Sequence, residues 1–200
     1  MKKVIYTTAI IGASLMFQSC GNSSGNATDT SDTSKMAADS TAANEAALSA
    51  DTANMEGLIA DTTFASKAAI GGMAEVELGK LALNKATDAK VKDFASMMVN
   101  DHGKANEELK AIAKSKSMML PTGLDQEHQA VMDELKSKSG ADFDKAYAKA
   151  MVDGHQKTLA LMQQGSMGLK DAELKGFAAK TAPVVKHHLD MINTIEAELK

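Results

Sequence analysis

The chain has 200 residues with a formal net charge of −4, and 44% of its residues are hydrophobic, enough for a domain with a sizeable core. All 22 basic residues are lysine and no basic stripe occurs, which removes the planar arginine forks that nucleic-acid recognition favours. Cys20 is the single cysteine, so a disulfide framework is impossible.

Residues 1–19 read as a lipoprotein signal peptide: the basic MKK, the apolar run VIYTTAIIGASLMF, then QS before Cys20. The apolar run is shorter than the ~20 residues a membrane span needs. Phe17 stands where such signals usually carry leucine, and the plain alternative is a secretory signal followed by a chance cysteine. With Cys20 acylated, no thiol is left to act as a nucleophile, and the lipid holds the protein on a membrane. Residues 20–60 are rich in Ser, Thr, Asn, Asp, Ala and Gly, with six acidic residues and one lysine. They are expected to form a disordered acidic tether, because they offer little apolar surface to bury. Residues 61–200, close to neutral, form the folded domain.

This domain reads all-α. A first helix is predicted to follow the cap Asp61-Thr62 and run to about Ala86, and a second, capped by Thr87-Asp88, to run from Ala89 to about Lys116. SMMLPTG, with Pro121 and Gly123, breaks the chain. A short helix over 125–137 follows, then a long one from Asp142 to Gln164 and a turn over Gly165–Gly168. The last helix spans 171–199 and is expected to bend at Pro183. Two long hairpins joined by a long crossover predict a ferritin-like four-helix bundle with a short extra helix in the crossover. DAKVKDFA (88–95) and DAELKGFA (171–178) echo each other and point to a duplicated hairpin.

A second echo carries the chemistry. FASMMVNDHGK (94–104) and YAKAMVDGHQK (147–157) repeat an aromatic-Ala, a Met-Val, a His and a Lys at identical offsets. His102 falls on the apolar stripe Val91, Phe94, Met98, Ala105, Leu109, Ile112, and His188 falls on Leu174, Phe177, Thr181, Val185, Ile192, Ile195. Counting 1.5 Å per residue along each helix brings Glu75, His102, His155 and His188 to similar depth. Glu77, Asp101, Asp153 and His187 are secondary candidates.

Such a layer is either a hydrogen-bonded polar cluster fixing helix register or a metal site for iron, zinc or copper. The Glu-x-x-His pair of di-iron bundles is missing, since Val99, Val152 and Val185 stand three positions before the histidines. Asp125-x-x-His128 has that spacing but lies in the crossover, and HExxH is absent. Methionines such as Met73, Met97, Met98, Met118, Met119, Met132, Met151, Met162 and Met191 fit either core filling or soft-metal binding. Gly71, Gly72 and Gly79 lie inside a helical pattern and suit close helix approach better than a phosphate loop. No nucleophile–base constellation stands out, so the default expectation is no enzyme.

GGMAEVELGKLAL, FASMMVNDHGKANEEL, the Leu-Pro after the second helix, FDKAYAKAMVDGH and the late HHL together resemble bacterial domain-of-unknown-function family 4142, over about residues 62–198. The resemblance implies a ferritin-like bundle in the cell envelope and makes Glu75, Asp101, His102, His155 and His188 the positions to watch. It implies no established catalytic activity, and the outer-membrane label such proteins commonly carry does not mean a β-barrel, for which alternating strands are missing. The expected protein is a lipid-anchored outer-membrane lipoprotein facing the periplasm, with a non-enzymatic binding or stress-related role and no nucleic-acid partner. One alternative is a metal-binding or redox protein using the Glu/His layer. Another is an interaction module docking partners through exposed apolar positions of 125–137.

Overall fold

The computed structural model describes residues 38–199, with side chains from Ala60 onward, and all regular structure there is helical. The order is α1 (Ala38–Lys85), α2 (Ala89–Ser115), α3 (Gln126–Ser137), α4 (Gly140–Gly168) and α5 (Ala172–Glu198). The bundle belongs to the compact unit Ala43–Lys200. No helix among the described residues is long and apolar enough to cross a membrane. The expected signal peptide, Cys20 and the tether up to residue 37 lie outside the described residues.

Polar contacts at the two ends set the topology. At one end, the buried Asp144 carboxylate in α4 accepts from the amide of Thr87 (3.0 Å), the amide of Asp88 (2.9 Å) and the Thr87 hydroxyl, all in the α1–α2 loop. Lys90 and Glu198 pair at the same end. At the other end, the buried Asp61 carboxylate of α1 accepts from the amides of Lys170 (3.0 Å) and Asp171 (2.9 Å) in the α4–α5 loop. There Lys116, just past α2, pairs with Asp171 at 2.6 Å. Thus α2 and α4 run in the same direction, opposite to α1 and α5, with α3 in the long crossover. This is the ferritin-like four-helix arrangement expected from the loop lengths.

The hairpin echo reappears as paired caps. Asp88 accepts from the amides of Lys90 (2.8 Å) and Val91 (3.2 Å), and Asp171 accepts from those of Glu173 (3.0 Å) and Leu174 (2.9 Å). The step in sequence that takes Asp88 to Asp171 also takes Asp61 to Asp144. Each hairpin therefore clamps the loop of the other with an aspartate from its first helix.

Three expectations need correction. First, α1 starts at Ala38 rather than after Thr62, so residues 38–60 of the expected tether are helical. Alanine has the highest helix propensity, and the packed part of α1 supplies a nucleus from which an alanine-rich stretch can propagate. Asp61, consequently, is no cap for α1. Second, Gly165–Gly168 is the last turn of α4, not a loop. Gly165 is buried beneath the Phe64 ring, where an added Cβ would come within 2.6 Å of Phe64 Cε2. The glycine is there for close packing, not for turning. Third, the apolar side of α3 faces the bundle: Met132 and Leu135 are buried in the main core, with Val131 packed against it, which leaves a polar outer face. Helix α5 continues through Pro183.

The core comes in two halves. One apolar cluster holds Leu78, Phe94, Met98, Phe143, Tyr147, Met151 and Ile192, and the other Phe64, Ala68, Leu109, Met162, Leu174 and Phe177. On every long helix the polar residue predicted at mid-depth falls between the two. Gly79 lets α1 approach α2 closely, since a Cβ there would sit 3.1 Å from the Ala95 carbonyl oxygen. Met98, Met132, Met151 and Met162 fill the core, whereas Met119 is exposed.

Candidate metal centre

The layer between the two apolar halves is formed by Glu75 from α1, His102 from α2, His155 from α4 and His188 from α5, all buried. The histidines are 5%, 0% and 1% exposed in that order, so the layer is closed to bulk water. His102 and His155 stand at identical positions of two helices that run the same way, and their rings meet at 5.4 Å between centroids. Phe94 and Tyr147, the aromatics of the two echoed motifs, likewise meet edge to face at 6.5 Å. Phe94 also lies 5.9 Å from the His155 ring and 6.4 Å from that of His188, giving the layer an apolar floor.

Each histidine spends one ring nitrogen on an outer acceptor. His155 Nδ1 lies 2.9 Å from the Met151 carbonyl oxygen, so that nitrogen carries the proton and donates it. His188 Nε2 lies 3.2 Å from Asp101 Oδ2 and donates to the carboxylate. His102 Nδ1 lies 2.7 Å from Glu75 Oε2, an ion pair bent off the hydrogen-bond axis, so that Oε2 has no aligned donor. These proton positions are assigned from the partners. The other three nitrogens turn inward. His188 Nδ1 and His102 Nε2 are 3.3 Å apart, and His155 Nε2 is buried with no hydrogen-bond partner. One ligand nitrogen from each histidine lies within 4.8 Å of those of the other two.

The charges follow from the surroundings. Burial alone would raise the Glu75 pKa, but the nearby His102 and His155 outweigh it and hold the carboxyl down at about 2. Burial likewise works against a charged His102, yet the facing Glu75 carboxylate prevails and raises its pKa. Burial lowers the pKa of His155. Burial, with the charge of His102 behind it, pushes that of His188 down to about 4. Without a metal, then, Glu75 is a carboxylate that favours the protonated form of His102, whose Nε2 lies 3.3 Å from His188 Nδ1, while burial favours the neutral forms of His155 and His188.

Glu75 thus sits outside the ring of converging nitrogens rather than in it. Its Oε1 accepts from the Thr158 hydroxyl at 3.2 Å. Asp101 is half-buried and also on the outside. The remaining candidates take no part: Glu77 is exposed and pairs with Lys80, Asp153 is exposed and pairs with Lys149, and His187 is exposed. Asp125-x-x-His128 is a helix cap, with Asp125 Oδ1 3.0 Å from the His128 amide and 2.5 Å from its Nδ1. Sequence reasoning did not find Thr158 or the Met151 carbonyl. Thr158 carries a usable signal, because the step that relates the two hairpins takes Glu75 to it.

No curated protein matches the chain by sequence. Among solved structures it resembles CopM in its Cu(II)-bound form, at 16% identity and a TM-score of 0.61, over 70% of this chain and 97% of that one. CopM in its Ag-bound form is similar at 16% identity and a TM-score of 0.56, over 67% and 93%. A DUF305 protein from Streptomyces coelicolor, described as secreted, is similar at 14% identity and a TM-score of 0.60, over 70% and 93%. At these identities the likeness is one of fold. Residues 37–195, by contrast, match the family described as "Domain of unknown function (DUF4142)", and the chain belongs to that family.

Proposed function

We propose that this protein binds a transition-metal ion between His102, His155 and His188, as a non-enzymatic module of the cell envelope. The observation that carries the proposal is the convergence of three buried ring nitrogens, one of them unpartnered, while the opposite nitrogen of each ring faces an outer oxygen. Metal-binding histidines are oriented in this way, because an outer acceptor fixes the tautomer and raises ligand basicity. Two nitrogens bonded at 2.0–2.1 Å to one tetrahedral ion lie about 3.3 Å apart, the spacing found between His102 and His188. Imidazoles suit copper, zinc, iron and nickel, and the Cu(II)-bound fold relative makes copper the first ion to test. Enclosure of the layer favours holding an ion over turning over a substrate. A purely structural layer would want each inward nitrogen hydrogen-bonded, and His155 Nε2 is not.

The test is to load the purified chain with Cu(II) or Zn(II), count bound metal, and repeat with His102→Ala and His155→Ala after a circular dichroism check of folding. One ion per chain, lost in both variants, is expected. No bound ion after reconstitution, or binding that survives both substitutions, refutes the site. The N-terminal pattern supports lipid anchoring at Cys20 in the cell envelope. Membrane fractionation of Cys20→Ser is expected to release the protein, and its retention with the membranes would refute the anchor.

A further inference from the structure

A site whose three ligands are at most 5% exposed needs a way in. We infer that an ion reaches it through the seam between α1 and α4, with Glu75 as the first protein ligand it meets; the inference rests on the metal centre proposed above.

A groove of about 1270 Å³ runs along this seam under the edge of α3, and Glu75, Thr158 and Met151 are among its lining residues. All three touch the histidine layer: Glu75 beside His102, Thr158 on Glu75, and Met151 through its carbonyl on His155. Two glycines keep the groove open. A Cβ added at Gly154 of α4 would meet nothing within 4 Å, and one at Gly71 of α1 would meet only Thr158 Oγ1, at 3.8 Å. Unlike Gly79 and Gly165, these two are not needed for helix contact, and the space they leave is unfilled.

Glu75 is suited to receive a cation there. It is 4% exposed yet lines the groove, and its Oε2 has no aligned donor. A carboxylate oxygen is an acceptable ligand for zinc or copper, so the ion can trade water for Glu75 before it trades Glu75 for imidazole. The other polar link from the layer to solvent is Asp101, 36% exposed on the α2 side, whose carboxylate is held by the His188 N–H. It is the rival way in.

Gly154→Leu and Gly71→Leu narrow the seam from opposite walls. Both replace a helical glycine by a better helix former, so neither is expected to unfold the chain. Stopped-flow mixing of metal-free protein with Zn(II) and a chromophoric chelator gives the association rate, and chelator competition gives release. In each variant association and release are expected to slow together by about tenfold or more, with Kd changed by less than about threefold, since only the path is altered. Rates equal to those of the unaltered chain in both variants overturn the seam, while metal binding itself stands. If the unaltered chain binds no Zn(II) or Cu(II), the metal centre falls and the seam with it.

Discussion

At the scale of single residues, the site depends on how Glu75 and His102 set each other's charge. The carboxylate raises the His102 pKa, and the protonated form it favours carries a proton on Nε2, where a metal would have to bind. Because ligands bind metal deprotonated, affinity rises with pH through the His102 titration and falls in acid as that proton returns. His155 and His188, with lowered pKa values, resist protonation until the pH is lower. Glu75→Gln removes the charge but keeps an acceptor oxygen. At pH 8 it is expected to weaken metal affinity by about 10–100-fold, the usual effect of losing an outer partner. The acid limb of the affinity–pH profile is expected to move to lower pH, since the His102 proton is then held less tightly. Titrations by isothermal calorimetry from pH 5 to 8 read both effects. An acid limb at the same pH in the two proteins would refute the coupling.

At the scale of helices, the parallel run of α2 and α4 explains the echo between FASMMVNDHGK and YAKAMVDGHQK. Equal spacing on parallel helices places aromatic beside aromatic and histidine beside histidine. This register is set at the bundle ends by Asp144 and Asp61, which hold the α1–α2 and α4–α5 loops. Asp144→Ala leaves the Thr87 and Asp88 amides without an acceptor, and an unsatisfied buried donor costs about 1–3 kcal/mol, so a loss of about 3 kcal/mol is expected in urea unfolding. A loss below about 1 kcal/mol would mean that water replaces the carboxylate without penalty. Much of this was legible in the sequence. The helices, the crossover and the depth of the layer follow from apolar period and rise per residue. The positions of Asp61 and Asp144 were not legible, because a buried aspartate accepting loop amides looks in sequence like a surface cap or a solvated charge. The orientation of the imidazoles was equally hidden: which ring nitrogen faces inward depends on the carbonyl of Met151 and on rotamers, which residue spacing does not encode. Glu75 was picked out for its depth, yet its place outside the ring of nitrogens emerges only from the contacts.

At the scale of the whole molecule, the layer is where all four long helices meet: α2, α4 and α5 each bring a histidine, and α1 a carboxylate that orients one of them. An ion held there ties the two hairpins together in the folded state only, so binding is linked to global stability. With free metal at about 100 times Kd, stabilisation is about 2.7 kcal/mol, and in a bundle of this size that raises Tm by roughly 5–10 °C. In the metal-free protein three groups of the layer, Glu75, His155 and His188, have depressed folded pKa values. Glu75, at about 2, contributes stability above its unfolded pKa that is lost as pH falls through the folded value. His188, at about 4, binds its proton more readily when unfolded, so acid below its ordinary range draws the chain toward the unfolded state. His102 works the other way, with a raised pKa whose contribution is lost as pH rises. Metal binding takes over the place of that proton. The difference in Tm between metal-loaded and metal-free protein is therefore expected to be largest near pH 8 and to shrink toward zero by pH 5, where protons outcompete the ion. Differential scanning calorimetry at pH 5, 6.5 and 8, with and without Cu(II) or Zn(II), measures it directly. A rise in Tm independent of pH would mean that the ion binds exposed carboxylates rather than the three histidines.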